Sequence, residues 1–339
     1  MNHRFALPSA LLCALLLSGS AEAQSATPLS LPVKATTTQG SNPALPVFPK
    51  LGAKKELAYY RVKAQRFNIR WGKASVHKRF FKREVSFPSA RTKRWKTVHG
   101  VFFGPRNPKG PVAAAVVVHH LGGSFDAEEM IAQHLATHGV AALFVSLPNY
   151  GKRREKGTKQ GFMRLGGMVA FKTFQQAALD VIRAGDVLRA TPGVDSSRVG
   201  LLGVSLGAFV SAVARGVDPR LRRTVLLLGG GDLVGMFNQI PQGTELLRKA
   251  GIGLDTLRVL TRPADPLTFA GRVGTADVLM LNALQDEIVP RRSTDKLWHA
   301  LGRPKIRWFN CGHYGVVLHL PTLFNLSLDH LRKRKRTPL

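Results

Sequence analysis

The chain has 339 residues, of which 50 are Lys or Arg and 20 are Asp or Glu, so its formal net charge is +30. Hydrophobic residues make up 44% of it, which excludes a disordered polycation, and the length is that of one large α/β domain with additional termini. Cys13 and Cys311 are the only cysteines, so a disulfide framework and a cysteine-based zinc site are both excluded.

The first residues have the pattern of a secretory signal. Arg4 precedes an apolar run from Leu11 to Leu17, and Ala21-Glu22-Ala23 fits a small-x-small cleavage site. A membrane anchor is the alternative, but this apolar region is short against the ~20 residues that a spanning helix needs. We therefore predict a cleaved signal peptide over residues 1–23 and a secreted or periplasmic protein.

The next two segments differ in composition. Residues 24–53 contain five prolines and no hydrophobic period, which predicts a flexible linker. Residues 54–96 carry 15 Lys or Arg and two Glu, interleaved with aromatic residues, which predicts a basic segment leading into the first strand. Within it, the alternation around Phe81, Val85 and Phe87 predicts an edge strand.

Apolar runs alternate with helical segments from residue 97 to 332. This pattern is typical of an α/β fold with a mostly parallel sheet covered by helices on both faces. The predicted strands are 98–103, 112–118, 140–146, 198–203, 224–229, 277–283 and 305–310, and the predicted helices are 127–138, 167–190, 206–214 and 292–301. Residues 233–262 are broken by glycine and proline, which indicates a small helical excursion that could form a lid. A basic tail follows at 333–339.

The predicted strand 198–203 runs into Gly203-Val204-Ser205-Leu206-Gly207 and then into a helix rich in small residues. A G-x-S-x-G turn in this setting is a nucleophile elbow. Such a turn holds its serine in a strained conformation, with the hydroxyl raised above the sheet. Only glycine at positions 203 and 207 would let the neighbouring backbone pass so closely, so Ser205 is the candidate nucleophile.

A serine nucleophile needs a base, and the base needs an orienting acid. Asp286 lies just after the predicted strand 277–283, and His313 lies just after the last one, 305–310. Both residues are therefore expected in loops at strand ends, where they could meet Ser205.

Other side chains could fill these two roles. Glu287 adjoins Asp286, and Asp232 follows the strand 224–229, from which a carboxylate could reach the same histidine. The competing histidines fall in or beside predicted helices, where packing or a surface position explains them: His134, His138, His299, His319 and His330. Asp286 and His313 are the favoured acid and base.

The oxyanion formed in acyl transfer needs hydrogen-bond donors, and backbone N–H groups are the usual ones. The N–H of Leu206 directly follows the nucleophile and begins a helix, whose dipole favours negative charge. The loop at 119–124 contains two glycines that let its backbone turn inward, and we predict that Leu121 supplies the second N–H. His119 and His120 are expected to anchor this loop by hydrogen bonds.

These motifs resemble the α/β-hydrolase superfamily over roughly residues 85–330, and the chain order Ser205, Asp286, His313 is the order of that superfamily. The segment 180–199 is similar to the dienelactone hydrolase, acetyl xylan esterase and prolyl oligopeptidase branch. The resemblance implies hydrolysis through an acyl-serine, with Ser205 as nucleophile, His313 as base and Asp286 as its partner.

The predicted activity is that of a carboxylic ester hydrolase acting on small or polymer-linked esters. Peptidase and C–C hydrolase activity remain alternatives, because the same triad serves all three. The basic loop at 152–159 is interpreted as solvated, with recognition of an anionic acyl group or polymer as the alternative. Nothing in the sequence implies a cofactor or a metal.

A second class of function is binding, with the fold as a scaffold. The basic residues of 54–96 and the run at 332–336 could attach the protein to a polyanion. No recognisable nucleic-acid module is present.

Overall fold

A computed structural model describes residues 34–43, 54–91, 94–122, 124–161, 167–239 and 253–333. The predicted signal peptide, most of the predicted basic tail and the centre of the predicted lid lie outside these residues. Among the helices that the structure does describe, none is both long enough and apolar enough to cross a lipid bilayer.

The described strands form one ten-stranded sheet in the order β1-β2-β3-β4-β6-β5-β7-β8-β9-β10. Their bounds are β1 Thr36–Asn42, β2 Gln65–Val76, β3 Phe80–Pro88, β4 Thr97–Pro105, β5 Val112–Val118, β6 Ala141–Val145, β7 Val194–Val204, β8 Thr224–Leu227, β9 Val278–Ala283 and β10 Lys305–Phe309. Strands β5 to β10 pair in parallel, whereas β1 to β4 form an antiparallel extension that joins the sheet through β4 and β6.

Helices cover both faces of the parallel part. Their bounds are α1 Lys54–Leu57, α2 Asp126–Thr137, α3 Gly167–Arg189, α4 Leu206–Val217, α5 Leu233–Asn238, α6 Leu254–Thr261, α7 Pro266–Ala270, α8 Arg291–Ala300 and α9 Leu320–Arg332, with short 3₁₀ turns at Ala58–Tyr60, Gly151–Arg153, Arg262–Ala264, Thr275–Asp277 and Tyr314–His319. Helices α2 and α9 pack on one face, and α3 and α4 pack on the other. The prediction of an α/β fold with helices on both faces is confirmed.

The fully apolar sequence of β5 follows from its place in this sheet. Ala113, Ala115 and Val117 pack in the core under α2 and α9, while Val116 and Val118 pack in the core under α3 and α4. A strand that is covered on both faces has no position for a polar side chain. The end of β5 therefore lies deep in the molecule, where the loop at 119–122 begins.

The N-terminal region differs from its prediction. Residues Thr36–Asn42, inside the predicted linker, form the edge strand β1, which pairs with Gln65–Trp71 of β2. The strand β3, predicted to be an edge, is paired on both sides, by β2 and β4. The sequence gives no hydrophobic signal for β1 because its two buried residues are Gly40 and Asn42.

The basic segment at 54–96 does not merely lead into the sheet, because it contains β2 and β3. Along β2, Phe67, Ile69 and Trp71 are buried while Arg66 and Arg70 are exposed. Apart from the buried Arg83, the cations of this hairpin lie outside the core, to which its other face belongs.

Candidate active site

Ser205 stands at the turn between β7 and α4. Its φ angle is 51°, in the left-handed region that residues other than glycine rarely adopt. Its N–H donates to the carbonyl of Leu227 in β8, at 2.8 Å. The strained conformation predicted for this turn is therefore present, and it is held by the neighbouring strand.

The two glycines of the turn are required by close backbone contacts. A Cβ atom on Gly203 would lie 2.2 Å from the carbonyl oxygen of Gly207. A Cβ atom on Gly207 would lie 2.1 Å from the carbonyl oxygen of Val118 and 2.8 Å from that of His119. The start of α4 is thus pressed against the end of β5, which brings the loop at 119–122 beside the nucleophile turn.

His313 links Ser205 to Asp286. Its Nε2 lies 3.0 Å from the Oγ of Ser205, and its Nδ1 lies 2.8 and 2.9 Å from the two carboxylate oxygens of Asp286. All three side chains are buried. Because a carboxylate only accepts, Nδ1 carries the proton and Nε2 is free to accept the proton of the Ser205 hydroxyl.

The loops carrying Asp286 and His313 continue the pairing of β9 with β10. The N–H of Leu284 donates to the carbonyl of Phe309 at 2.8 Å, and the N–H of Gln285 donates to the carbonyl of Cys311 at 3.0 Å. The Oδ1 of Asp286 then accepts the N–H groups of the next turn, Ile288 and Val289, at 2.9 and 2.7 Å. The carboxylate that faces His313 is therefore held on two sides.

The two alternative carboxylates bind elsewhere. Asp232 accepts from Lys296 in α8 and from the N–H of Gly235, so its carboxylate is engaged away from His313. Glu287 does reach His313, but its Oε2 accepts the backbone N–H, at 2.9 Å, and not a ring nitrogen. This contact fixes the backbone of the histidine loop, a role that the sequence did not indicate because it depends on two loops meeting.

The loop after β5 is anchored by His119. The Nε2 of this buried ring accepts the N–H of Leu147 at 3.0 Å, so Nδ1 carries the proton and donates to the carbonyl of His120 at 2.6 Å. Burial lowers the pKa of His119 to about 4, so the ring is neutral. The His120 carbonyl and the Leu121 N–H belong to one peptide plane, and His119 therefore sets the direction of that N–H.

His120 is held by Glu128 of α2. Glu128 is fully buried, and one of its carboxylate oxygens accepts two hydrogen bonds from His120. The backbone N–H of His120 lies 3.0 Å from this oxygen, and Nδ1 of the His120 ring lies 2.7 Å from it. The hydrogen bond to Glu128 raises the pKa of His120; burial alone would raise that of Glu128, but the His120 contacts lower it overall. Both histidines anchor the loop by hydrogen bonds, as predicted, whereas nothing in the sequence singled out Glu128.

A family model decides the classification. The model of the dienelactone hydrolase family matches residues 98–310, which is more than half of the chain. The chain belongs to the dienelactone hydrolase family. The matched region contains the nucleophile turn and Asp286, and it ends at β10, just before His313. This family consists of hydrolases and lies within the α/β-hydrolase superfamily, so the chain belongs to that superfamily too.

Two curated relatives of this family member are uncharacterized proteins. YdjC of Bacillus subtilis (strain 168) is 31% identical over 101 residues, which are 29% of this chain and 87% of that protein. A protein of Mycobacterium tuberculosis is 25% identical over 154 residues, which are 43% of this chain and 35% of that protein. The chain thus matches about a third of the length of the mycobacterial relative.

Solved structures share the fold at low sequence identity. The acetyl xylan esterase from Paenibacillus sp. has a TM-score of 0.63 at 20% identity, covering 81% of this chain and 92% of that one. Acetyl Xylan Esterase 1 from Thermoanaerobacterium sp. has a TM-score of 0.60 at 18% identity, over 78% and 88%. The acylaminoacyl peptidase of Pyrococcus horikoshii has a TM-score of 0.59 at 16% identity, over 82% and 48%. These likenesses establish the fold.

The basic loop after β6 is only partly solvated. Lys152 and Arg154 are exposed, as predicted, but Arg153 is buried and its guanidinium lies 2.7 Å from the carboxylate of Asp180 in α3. It also donates to the carbonyls of Ser146 and Trp95. A buried arginine needs such partners, so Arg153 ties this loop to the core and is not available to a ligand.

Among the described residues, no three His, Cys, Asp or Glu side chains are grouped as a metal ion would require. The single thiol of that region, Cys311, is free, and burial together with the nearby carboxylates of Asp286 and Glu287 raises its pKa.

Proposed function

We propose that this member of the dienelactone hydrolase family is a serine hydrolase that cleaves carboxylic esters through an acyl-serine intermediate. The observation that carries the proposal is the hydrogen-bonded chain from Ser205 through His313 to Asp286, with 3.0 Å between Oγ and Nε2. Nucleophile, base and orienting acid stand in the geometry that general-base activation of a serine requires. The strained turn supports it, because backbone strain at a single serine is a feature of functional sites.

In the proposed reaction, Ser205 Oγ attacks the ester carbonyl while His313 Nε2 takes its proton. The carbonyl oxygen becomes an oxyanion, and the positive charge formed on His313 is stabilised by Asp286. His313 then gives the proton to the departing alcohol, leaving an acyl group on Ser205. Water then attacks the acyl carbon while His313 takes one of its protons. The new tetrahedral intermediate collapses, His313 returns the proton to Ser205 Oγ, and the acid is released.

Two backbone N–H groups are proposed to bind the oxyanion. Leu206 is the first residue of α4, so its N–H has no acceptor within the helix. The His120 carbonyl accepts a hydrogen bond from His119, and the N–H of Leu121, on the same peptide plane, points in the opposite direction. Donors that are fixed before the reaction need no reorganisation when charge develops, and removing one typically costs about 10²–10³-fold in rate.

Short acyl esters are the proposed first substrates. The acetyl xylan esterases among the structural neighbours suggest acetate esters in particular.

The predicted signal peptide implies a location outside the cytoplasm. The N-terminal sequence of protein recovered from a secreting host would check this prediction.

The test is labelling of the mature protein with a fluorophosphonate probe, together with turnover of p-nitrophenyl acetate and of a matching anilide. Ser205→Ala should lose labelling and at least ~10³-fold in turnover. Ser211→Ala is the matched control, because Ser211 is a buried serine in α4, the helix that follows the turn, and its hydroxyl has no partner within the described residues. Full turnover by Ser205→Ala would contradict the proposal, and faster cleavage of the anilide would favour peptidase activity.

A further inference from the structure

The antiparallel extension presents one face to solvent. In β1, β2 and β3 alternate side chains enter the core, and the others point away from it. Cross-strand pairs place Ser41 opposite Arg66 and Thr37 opposite Arg70, so these outward side chains lie on a common surface. We call it the outer face; it comprises Thr37, Gln39, Ser41, Arg66, Asn68, Arg70, Lys82, Glu84 and Ser86.

The outer face carries uncompensated positive charge. Arg66, Arg70 and Lys82 form no ion pair within the part of the chain that the structure describes, whereas Glu84 is bound by Lys152 at 2.8 Å. The face thus presents three cations in a chain whose net charge is +30. Like charges at this density repel one another, and an anionic partner would relieve that repulsion.

The neutral residues of the outer face indicate the kind of anion. Hydroxyl and amide side chains stand between the cations, and none of the described, exposed large apolar side chains belongs to this face. Insertion into a lipid surface requires apolar side chains, and binding of single-stranded nucleic acid commonly uses aromatic ones. A hydroxyl-rich polymer that also bears carboxylates or sulfates fits both the cations and the amides and hydroxyls between them.

The outer face continues into a cleft at one side. This cleft, of about 470 Å³, is lined among others by Arg70, Ser86, His99, Phe125 and Gly151. The ring of Phe125 packs on that of His119, with 4.4 Å between ring centroids. A polymer chain lying on the outer face could therefore extend into this cleft as far as Phe125, whose ring packs on the loop after β5.

We propose that the outer face is a binding surface for an acidic polysaccharide. The proposal goes beyond ester hydrolysis and does not depend on it, because the surface lies outside the Ser205 site. It also restricts polyanion binding to the exposed cations of the basic segment 54–96. Arg83 of this segment is buried and donates to the carbonyls of Gly72 and Lys34, so it cannot bind a polymer.

The test compares two double variants of the full mature chain. Arg66→Gln with Arg70→Gln removes two cations of the outer face. Lys305→Gln with Arg307→Gln removes two exposed cations, two residues apart, from β10 at the opposite edge of the sheet. Each protein is titrated onto immobilised polygalacturonate at fixed ionic strength, and the salt needed for elution is recorded.

The outer-face variant should bind about tenfold more weakly and elute at lower salt, while the β10 variant should stay near the wild type. Lys82→Gln provides a second outer-face variant if the double variant is poorly folded. Both outer-face variants should hydrolyse p-nitrophenyl acetate at the wild-type rate. A loss of polysaccharide binding can therefore be distinguished from a loss of ester hydrolysis. Equally weakened binding in both double variants would show that binding depends on net charge and not on the outer face. Tighter binding to duplex DNA or phosphatidylserine vesicles than to polygalacturonate would refute the assignment to a polysaccharide.

Discussion

The two regions that meet at Ser205 are held in different ways. The nucleophile turn is shaped by backbone contacts, with Gly203 and Gly207 packed directly against carbonyl oxygens. The loops that face it are held by carboxylates, since Glu287 binds the N–H of His313 and Glu128 binds the N–H of His120. Positions 203 and 207 therefore have no room for a side chain, whereas the facing loops should respond in a graded manner to substitution.

The largest effect is expected for Asp286→Asn. An amide at this position can donate to Nδ1 of His313, which leaves Nε2 protonated and unable to accept from Ser205. We expect the kcat for p-nitrophenyl acetate to fall about 10³–10⁴-fold with the fold intact. Asp232→Asn is the matched control, because its carboxylate binds Lys296 and should matter little to the rate. Similar losses in both variants would argue against a specific role of Asp286.

Gly207→Ala tests the backbone side of the comparison. The added methyl group would lie 2.1 Å from the Val118 carbonyl, so β5 and α4 would have to separate. We expect a loss of about 3 kcal/mol in the free energy of unfolding, measured by urea denaturation. Gly253→Ala is the control, because, its chain neighbours apart, no heavy atom of the described residues lies within 4 Å of its Cβ position and its φ is −68°. Equal stabilities would mean that the turn is not tightly packed.

Glu287→Ala tests the carboxylate side. It leaves the His313 N–H without its acceptor and lets the histidine loop shift, so kcat should fall about tenfold with KM little changed. Glu287→Gln keeps an acceptor oxygen and should retain most of the rate. If Gln is as impaired as Ala, the charge of Glu287 matters and not its hydrogen bond; wild-type kcat in both variants would leave it without a positioning role.

The smallest effect is expected for Glu128→Gln, read from stability against pH. The pKa of His120 is higher in the folded than in the unfolded protein. Its contribution to stability is therefore complete at pH values below the unfolded-state pKa and is lost as the pH rises through the folded-state pKa. The lowered pKa of Glu128 gives stability that is lost as pH falls through its folded value. The pair therefore stabilises the protein most between these two pKa values.

Melting temperatures at pH 6 and pH 9 provide the measurement. Glu128→Gln should lower Tm by about 2–4 °C at pH 6 and by less at pH 9. Glu129→Gln, one residue further along the same helix, is the control and should show no such pH dependence. A Tm difference that is constant from pH 6 to pH 9 would contradict an ionic interaction between Glu128 and His120.

Local patterns in the sequence were sufficient for the parallel part of the sheet and for the turn at 203–207. The apolar run of β5 and the small-residue start of α4 are signals carried by residues a few positions apart, and both elements form as predicted. The strained φ of Ser205 was also predictable, because the G-x-S-x-G pattern has a conformational requirement of its own. Strand β1 was missed since its inward positions are Gly40 and Asn42, which give no hydrophobic alternation.

Contacts between distant residues were decided only by the tertiary structure. Glu128 and Glu287 are ordinary acidic residues in the sequence, and each acquires its partner when two loops or a loop and a helix meet. The same holds for Arg153, which a solvated loop was expected to expose and which Asp180 binds in the interior. The sequence by itself determined the strands and main helices of the parallel part and which serine occupies the turn, because those depend on neighbours along the chain. Packing determined which carboxylates hold the site and which cations stay free on the outer face, because a charge takes its role from the groups that folding brings to it.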